Sequence, residues 1–307
     1  MNILIVANSN TGHFAPFVVE QVEAIKSYGV NVEYFGVIGK GIKGYLKNII
    51  KLNAKIKEFK PDIIHAHYGL CGLLANIQRS IPVVTTYHGS DINIPNVKQL
   101  SQIAIRLSKF NIFVSEKTKN LVKSRSNSEL IPCGINLNLY GNLSRSIVRK
   151  KYHFPETEKL VLFAGAFDNQ VKNSKLAKEA ISLLPKVRLV ELKGYTRSQV
   201  MELMYASDVF FMTSFTEGSP QVIKEAMACC RPIVSTDVGD VRWVMGDTNG
   251  CYICSYDSQD CADKIKQALE FSENNNQTNG CKRIEALGLD NKIVAKKIIE
   301  IYNNIIK

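Results

Sequence analysis

Short runs of β-branched and apolar residues alternate with amphipathic helical stretches along the chain, and the alternation starts twice. The first series predicts strands at 3–7, 32–35, 62–66, 83–86, 112–114 and 129–131, with helices near 15–28, 43–59, 70–79, 97–108 and 116–124. Runs of this kind are buried on both faces, and the helices between them supply the crossovers of a parallel sheet. Residues 144–158 are polar, basic and weakly periodic, and read as a linker with a short helix. The series then restarts, with strands at 160–164, 188–192, 208–213 and 233–236 and helices at 173–184, 197–206 and 220–229. The fold class is therefore α/β: two doubly wound, Rossmann-like domains at 1–143 and 144–290, facing each other across a ligand cleft. The stretch 291–307 reads as a helix packing back on the first domain, and the Asn-rich patch 273–277 as a loop.

A chain of 307 residues is long enough for two such domains. No apolar run approaches the roughly 20 residues that cross a bilayer. The N-terminus reads as a buried strand, not a signal peptide, so the expected location is the cytoplasm. The eight cysteines are expected to be thiols. Cys251 and Cys254 have CxxC spacing and Cys229–Cys230 are adjacent, but no second close pair completes a zinc site, which favours core packing.

The formal charge of +11 is uneven: residues 1–140 hold 16 Lys/Arg against 8 Asp/Glu, and so +8 of the excess. Such a field favours nucleic acid, an anionic membrane surface or a phosphorylated substrate. Lys43, Lys47, Lys51 and Lys55 recur every four residues beside Ile42, Leu46, Ile49, Ile50, Ile56 and Phe59. A helix there is either an ordinary surface helix or a docking element for anionic lipid.

The most informative segment runs from Asp208 to Ala228. A buried strand ends at Thr213, a loop holds Glu217 and Gly218, and a helix opens with Ser219 as N-cap and Pro220 at its first position. Free amides at such a start bind an anion or polar hydroxyls. Glu217 and Glu225 can each accept two hydroxyls, one pair from a sugar and one from a ribose. Their spacing taken alone equally fits a solvated loop residue and a helix-surface residue; the strand–Glu-Gly-Ser-Pro–helix context separates the readings.

The stretch Glu217-Gly218-Ser219-Pro220, Glu225-Ala226-Met227-Ala228 and Arg231-Pro232-Ile233-Val234-Ser235-Thr236-Asp237-Val238-Gly239-Asp240 resembles the signature of the GT4 family of retaining glycosyltransferases (glycosyltransferase group 1). The resemblance implies the GT-B architecture, a nucleoside diphosphate-sugar donor and no metal cofactor. It assigns Lys172 to the donor diphosphate, Glu217 to the sugar and Glu225 to the ribose, with Asn173, Gly218, Ser219 and Pro220 around the donor. Ala166 stands where the family commonly has an arginine, and Asn173 where a glycine is common. Thr86-Tyr87-His88-Gly89-Ser90-Asp91 resembles the family's His-Gly-x-Asp segment, placing His88 at the donor sugar and Asp91 on the acceptor side. The loop Asn8–His13, with Gly12, matches in part a Gly-Gly loop near the diphosphate. Ile131-Pro132-Cys133-Gly134-Ile135-Asn136 resembles the family's crossover, with Asn136 for an aspartate. His65 and His67 have metal-ligand spacing but no third ligand, and His-Ala-His strands occur in this metal-independent family.

The expected partners are a nucleotide-sugar, a glycan or lipid-linked acceptor in surface polysaccharide or glycolipid synthesis, and an anionic membrane surface at its inner face. Rival readings are another enzyme on this architecture, such as a sugar epimerase, and a non-enzymatic anion- or nucleic-acid-binding protein. The last lacks a recognition helix and interleaved stacking aromatics, so nucleic acid is not the expected partner.

Overall fold

The computed structural model describes residues 1–307 except 124, 125, 142 and 276. The chain forms two compact units, Met1–Ile135 with Leu289–Lys307, and Asn136–Gly288. Among the described residues the first unit is built on β1 (Asn2–Asn8), β2 (Asn31–Val37), β3 (Ile63–His67), β4 (Val83–Tyr87), β5 (Phe110–Phe113) and β6 (Ser128–Leu130). All its pairings are parallel, in the order β2-β1-β3-β4-β5-β6. Successive side chains of a strand point to opposite faces. Ile3, Ile5 and Ala7 of β1 accordingly enter a core with the helix Pro16–Lys26 and the helix Asn291–Ile306, while Leu4 and Val6 enter a second core on the other face.

The second unit contains β7 (Lys159–Phe163), β8 (Val187–Glu191), β9 (Val209–Met212), β10 (Ile233–Thr236) and β11 (Cys251–Cys254), all parallel in the order β11-β10-β9-β7-β8. Helices Ser174–Ser182 and Ser258–Asn275 cover one face of this sheet. The two sheets share one winding, since each first strand lies between its second and third. Together they form a two-domain Rossmann-like GT-B fold.

Several local expectations change. The helix expected over 43–59 is two, Gly41–Leu46 and Ile49–Phe59. The break is made by Asn48, whose buried amide donates to the carbonyls of Ile38, Gly44 and Tyr45. Residues 144–158 contain the expected short helix, Arg145–Lys151, and its Arg149 is fully buried although the stretch is polar and basic. Its guanidinium donates to the carbonyls of Pro155, Glu156, Glu158 and Ala206 and to Asp208 at 2.9 Å. Residues 273–275 of the Asn-rich patch extend a helix, and residue 276 lies outside the described residues. The helix expected to reach 124 spans Glu116–Asn120, and residue 124 is likewise outside them.

Strand β11 was not expected, and it explains the CxxC spacing. Residues three apart on a strand face opposite sides, so Cys251 and Cys254 cannot share a ligand. Cys254 packs in the core with Cys261.

Candidate active site

In a doubly wound sheet, ligands bind outside the carboxyl ends of the strands where the strand order reverses. In the second unit that point is the end of β7 and β9. After β7 the chain makes a short 3-10 turn, Gln170–Lys172, and Asn173 turns left-handed at φ 52° to open the next helix. Left-handed backbone is open to glycine and tolerated by asparagine, which accounts for Asn173 where a glycine is common. The turn is sewn to the end of β9: the Thr213 hydroxyl donates to the carbonyls of Lys172 and Asn173, and the Phe215 amide to Val171.

This brings Lys172 and Glu217 together. Their ion pair is 2.7 Å long, each side chain is 19% exposed, and the same carboxylate oxygen also accepts the Ser214 hydroxyl at 2.9 Å. The pair stays within reach of a ligand, with its cation held at the start of the Glu217–Pro220 loop.

The loop itself is held from behind. The helix after it runs Gln221–Ala228 with Pro220 as N-cap, one position later than the sequence indicates. The Ser219 hydroxyl does not cap that helix; it donates to Asp240 at 2.6 Å. Lys224, fully buried, donates to the Ser219 oxygen at 2.5 Å and lies 3.5 Å from Asp240. Burial raises the Asp240 carboxyl above the ordinary range, and Lys224 opposes this. Gly239, at φ 56°, packs directly on the loop backbone, where a Cβ would stand 2.4 Å from the Gly218 carbonyl oxygen. No side chain fits there without moving the loop.

Glu225 is 6% exposed and accepts from Arg197 at 2.7 Å. Its carboxyl is pushed upward by burial, against the pull of Arg197 and a hydrogen bond from Tyr140. Lys224, Asp240, Arg197 and Tyr140 were not singled out from the sequence. Lys224 carries no local signal of burial, because a lysine on a helix ordinarily reads as a surface residue.

In the first unit the equivalent point is the end of β1 and β3. Gly12 sits at φ 81° in the turn after β1, its amide bonded to the Ser9 carbonyl. His88 follows β4, and Asp91 is buried beside it. The two Asp91 oxygens accept the backbone amides of Gly69, His88 and Gly89, so this carboxylate ties the ends of β3 and β4 together. Burial raises its pKa to about 6, against those amide bonds.

The His88 ring is the outer member of a stack. His65 and His67 lie with centroids 4.6 Å apart, and His67 and His88 5.3 Å apart. His65 Nδ1 is 2.5 Å from the Tyr302 hydroxyl and Nε2 2.7 Å from that of Thr86, so both nitrogens have protein partners. His67 Nδ1 is 3.0 Å from His88 Nε2. His67 Nε2 is buried with no hydrogen-bond partner among the described residues. A bare lone pair there costs less than a stranded N–H. His67 therefore donates from Nδ1, His88 accepts at Nε2, and the His88 proton sits on Nδ1. That proton faces Cys133 Sγ at 3.7 Å, a weak acceptor that a ligand oxygen can replace. Burial keeps all three rings neutral, with the pKa of His67 lowered to about 3.

Tyr68 was also missed. It carries φ 74°, a costly conformation for a bulky residue, and lies against the His88 ring with centroids 4.8 Å apart. It lines, with Asn8, Thr11, His13, Tyr45 and Asp91, a cavity of about 580 Å³. Among the described residues no cluster of three potential metal ligands occurs, and no helix is long and apolar enough to cross a membrane.

Comparison with known proteins places both halves. Residues 7–139 match the model of Glycosyltransferase Family 4, and residues 155–270 that of Glycosyl transferases group 1. TuaC of Bacillus subtilis, named for teichuronic acid biosynthesis, is 29% identical over 69% of this chain and 62% of its own length. The N-acetyl-alpha-D-glucosaminyl L-malate synthase of Bacillus anthracis is 28% identical over 69% of this chain and 66% of its own. The chain thus matches less than two thirds of the length of these relatives. In structure it resembles the Anabaena protein HepE in complex with UDP-glucose, with TM-score 0.79 and 18% identity over 99% of this chain and 100% of that one.

Proposed function

Because the chain belongs to the GT4 family, the group 1 glycosyltransferases, we propose that it moves a sugar from a nucleoside diphosphate donor to an acceptor hydroxyl with retention of configuration. The observation that carries this reading is the Lys172–Glu217 pair at the strand-order switch of the second unit, beside the Glu217–Pro220 loop. Departure of a diphosphate develops negative charge, and preorganised donors aimed at it are the largest stabilising contribution. Lys172 and the amides of Gly218 and Ser219 supply them, so this work falls to the chain itself with no resident metal. The departing phosphate helps deprotonate the acceptor on the same face, and no protein nucleophile is required. On donor binding Lys172 turns to phosphate and frees Glu217 for the sugar hydroxyls, while Glu225 takes the ribose. His88 donates from Nδ1 to the sugar. Asp91 fixes the loop beneath the acceptor, which is a glycan or lipid-linked sugar presented on the cytoplasmic side.

Donor binding raises thermal stability by mass action. A panel of nucleotide-sugars and free nucleoside diphosphates tests the reading: one of them should raise the melting temperature, and no shift with any would overturn it. Lys172→Ala should then lower turnover about 10²–10³-fold, as for loss of one transition-state donor, with the melting temperature of the free protein kept. The anomeric configuration of the product, read by proton NMR, decides retention.

A further inference from the structure

Four large apolar side chains lie exposed within thirteen residues of the first unit: Ile38 (67%), Ile42, Leu46 and Ile50 (83%). Ile42 and Leu46, four apart on the helix Gly41–Leu46, share one face of it. Lys40, Lys43, Lys47 and Lys51 are exposed among them. No acidic residue occurs between Glu33 and Glu58. Lys55, the fourth lysine of the periodic stripe, is instead paired with Glu33 and Glu58 and lies outside this surface.

The segment is built rigidly. Asn48 is buried; its amide reaches the carbonyls of Ile38, Gly44 and Tyr45, and its oxygen accepts the Ile38 amide. Gly39 touches Gly44 so closely that a Cβ on Gly39 would stand 2.8 Å from the Gly44 backbone. Asn10 exchanges two hydrogen bonds with Gly39, at 2.6 and 3.0 Å, which joins the segment to the loop after β1. The inward side of the same helix gives Tyr45 to the 580 Å³ cavity.

A segment fixed in place that exposes isoleucine and leucine among lysines and holds no carboxylate complements a surface with negative headgroups over hydrocarbon. We propose that residues 38–51 dock the protein on an anionic lipid bilayer, with the cavity opening beside the docked face. Neither nucleic acid nor a free phosphate rewards the apolar side chains. The proposal stands on this surface and does not require the transfer reaction.

Sedimentation of the whole chain with phosphatidylglycerol–phosphatidylcholine vesicles and with pure phosphatidylcholine vesicles tests it. Two triple variants share the assay, Lys43→Gln/Lys47→Gln/Lys51→Gln and Ile42→Ser/Leu46→Ser/Ile50→Ser. All six side chains are exposed, and thermal unfolding confirms that each variant is folded. The expected result is binding to the anionic vesicles alone, weakened about fivefold per lysine neutralised and at least about tenfold by loss of the apolar groups. Equal binding to both vesicle types, no binding, or full binding by the serine variant would overturn the proposal. Full binding by the serine variant would show a polyanion contact without insertion.

Discussion

The two units wind their sheets in the same sense, yet they bury polar groups in opposite forms. Behind the end of β3 the first unit stacks three histidines that burial holds neutral, joined to Tyr302 and Thr86 by hydroxyl contacts. At the ends of β7 and β9 the second unit uses fixed charges, Lys224 with Asp240, Arg197 with Glu225 and Lys172 with Glu217, and at the start of the same strands it buries Arg149 with Asp208. Neutral rings suit the orientation of an uncharged hydroxyl. Paired charges hold a cation ready for an anion that arrives later. One winding can thus serve either half of a transfer reaction, depending on which polar groups it buries.

The contrast can be broken most severely at Asp208. Asp208→Ala leaves the fully buried Arg149 without its carboxylate, a change that costs about 3–5 kcal/mol. Urea unfolding should show the second unit melting first, while hydrogen exchange in β1, β3 and β4 is unchanged. Gly239→Ala is next. The strain of φ 56° and the clash with the Gly218 carbonyl should cost about 1–3 kcal/mol and weaken donor binding in calorimetry, with no charge removed.

Acid separates the units more gently. A histidine whose folded pKa is depressed leaves the unfolded chain binding more protons below about 6.5, so stability falls as pH drops below that value. Asp91 acts in the opposite sense: with its pKa raised to about 6, it takes up a proton in the folded state first and offsets part of the loss between about 6 and 3.8. Fluorescence-monitored unfolding at pH 7 and pH 5 should show the first unit losing stability, and His65→Phe should reduce that dependence. Tyr302→Phe is the smallest change, about 1 kcal/mol for one hydrogen bond, with the helix still packed.

The winding was legible because β-branched runs and helical periods are local signals, as was the Glu217-Gly218-Ser219-Pro220 turn. Strand β11 was not, since Cys-Tyr-Ile-Cys has no alternation to set it apart from a loop. The break at Asn48 was hidden because lysines continue every four residues across it, while its cause is one side chain bonding to three carbonyls. Buried charges were the least visible. Arg149 and Asp208 stand 59 residues apart, and each looks like a surface residue until the fold joins them. His88 was found by its segment, but its tautomer depends on His67 from a different strand.

The helix Asn291–Ile306 has a consequence for the order of assembly. The chain leaves the first unit at Ile135, builds all of the second, and re-enters at Leu289, whose carbonyl accepts the Ile135 amide at 2.9 Å. Val294, Ala295, Ile298 and Tyr302 then fill the core against β1 and the helix Pro16–Lys26. On the ribosome the unit begun first is finished last, and one face of its sheet waits uncovered while the other unit is made. Chaperones that guard nascent chains should therefore engage the first half of this protein for longer than the second.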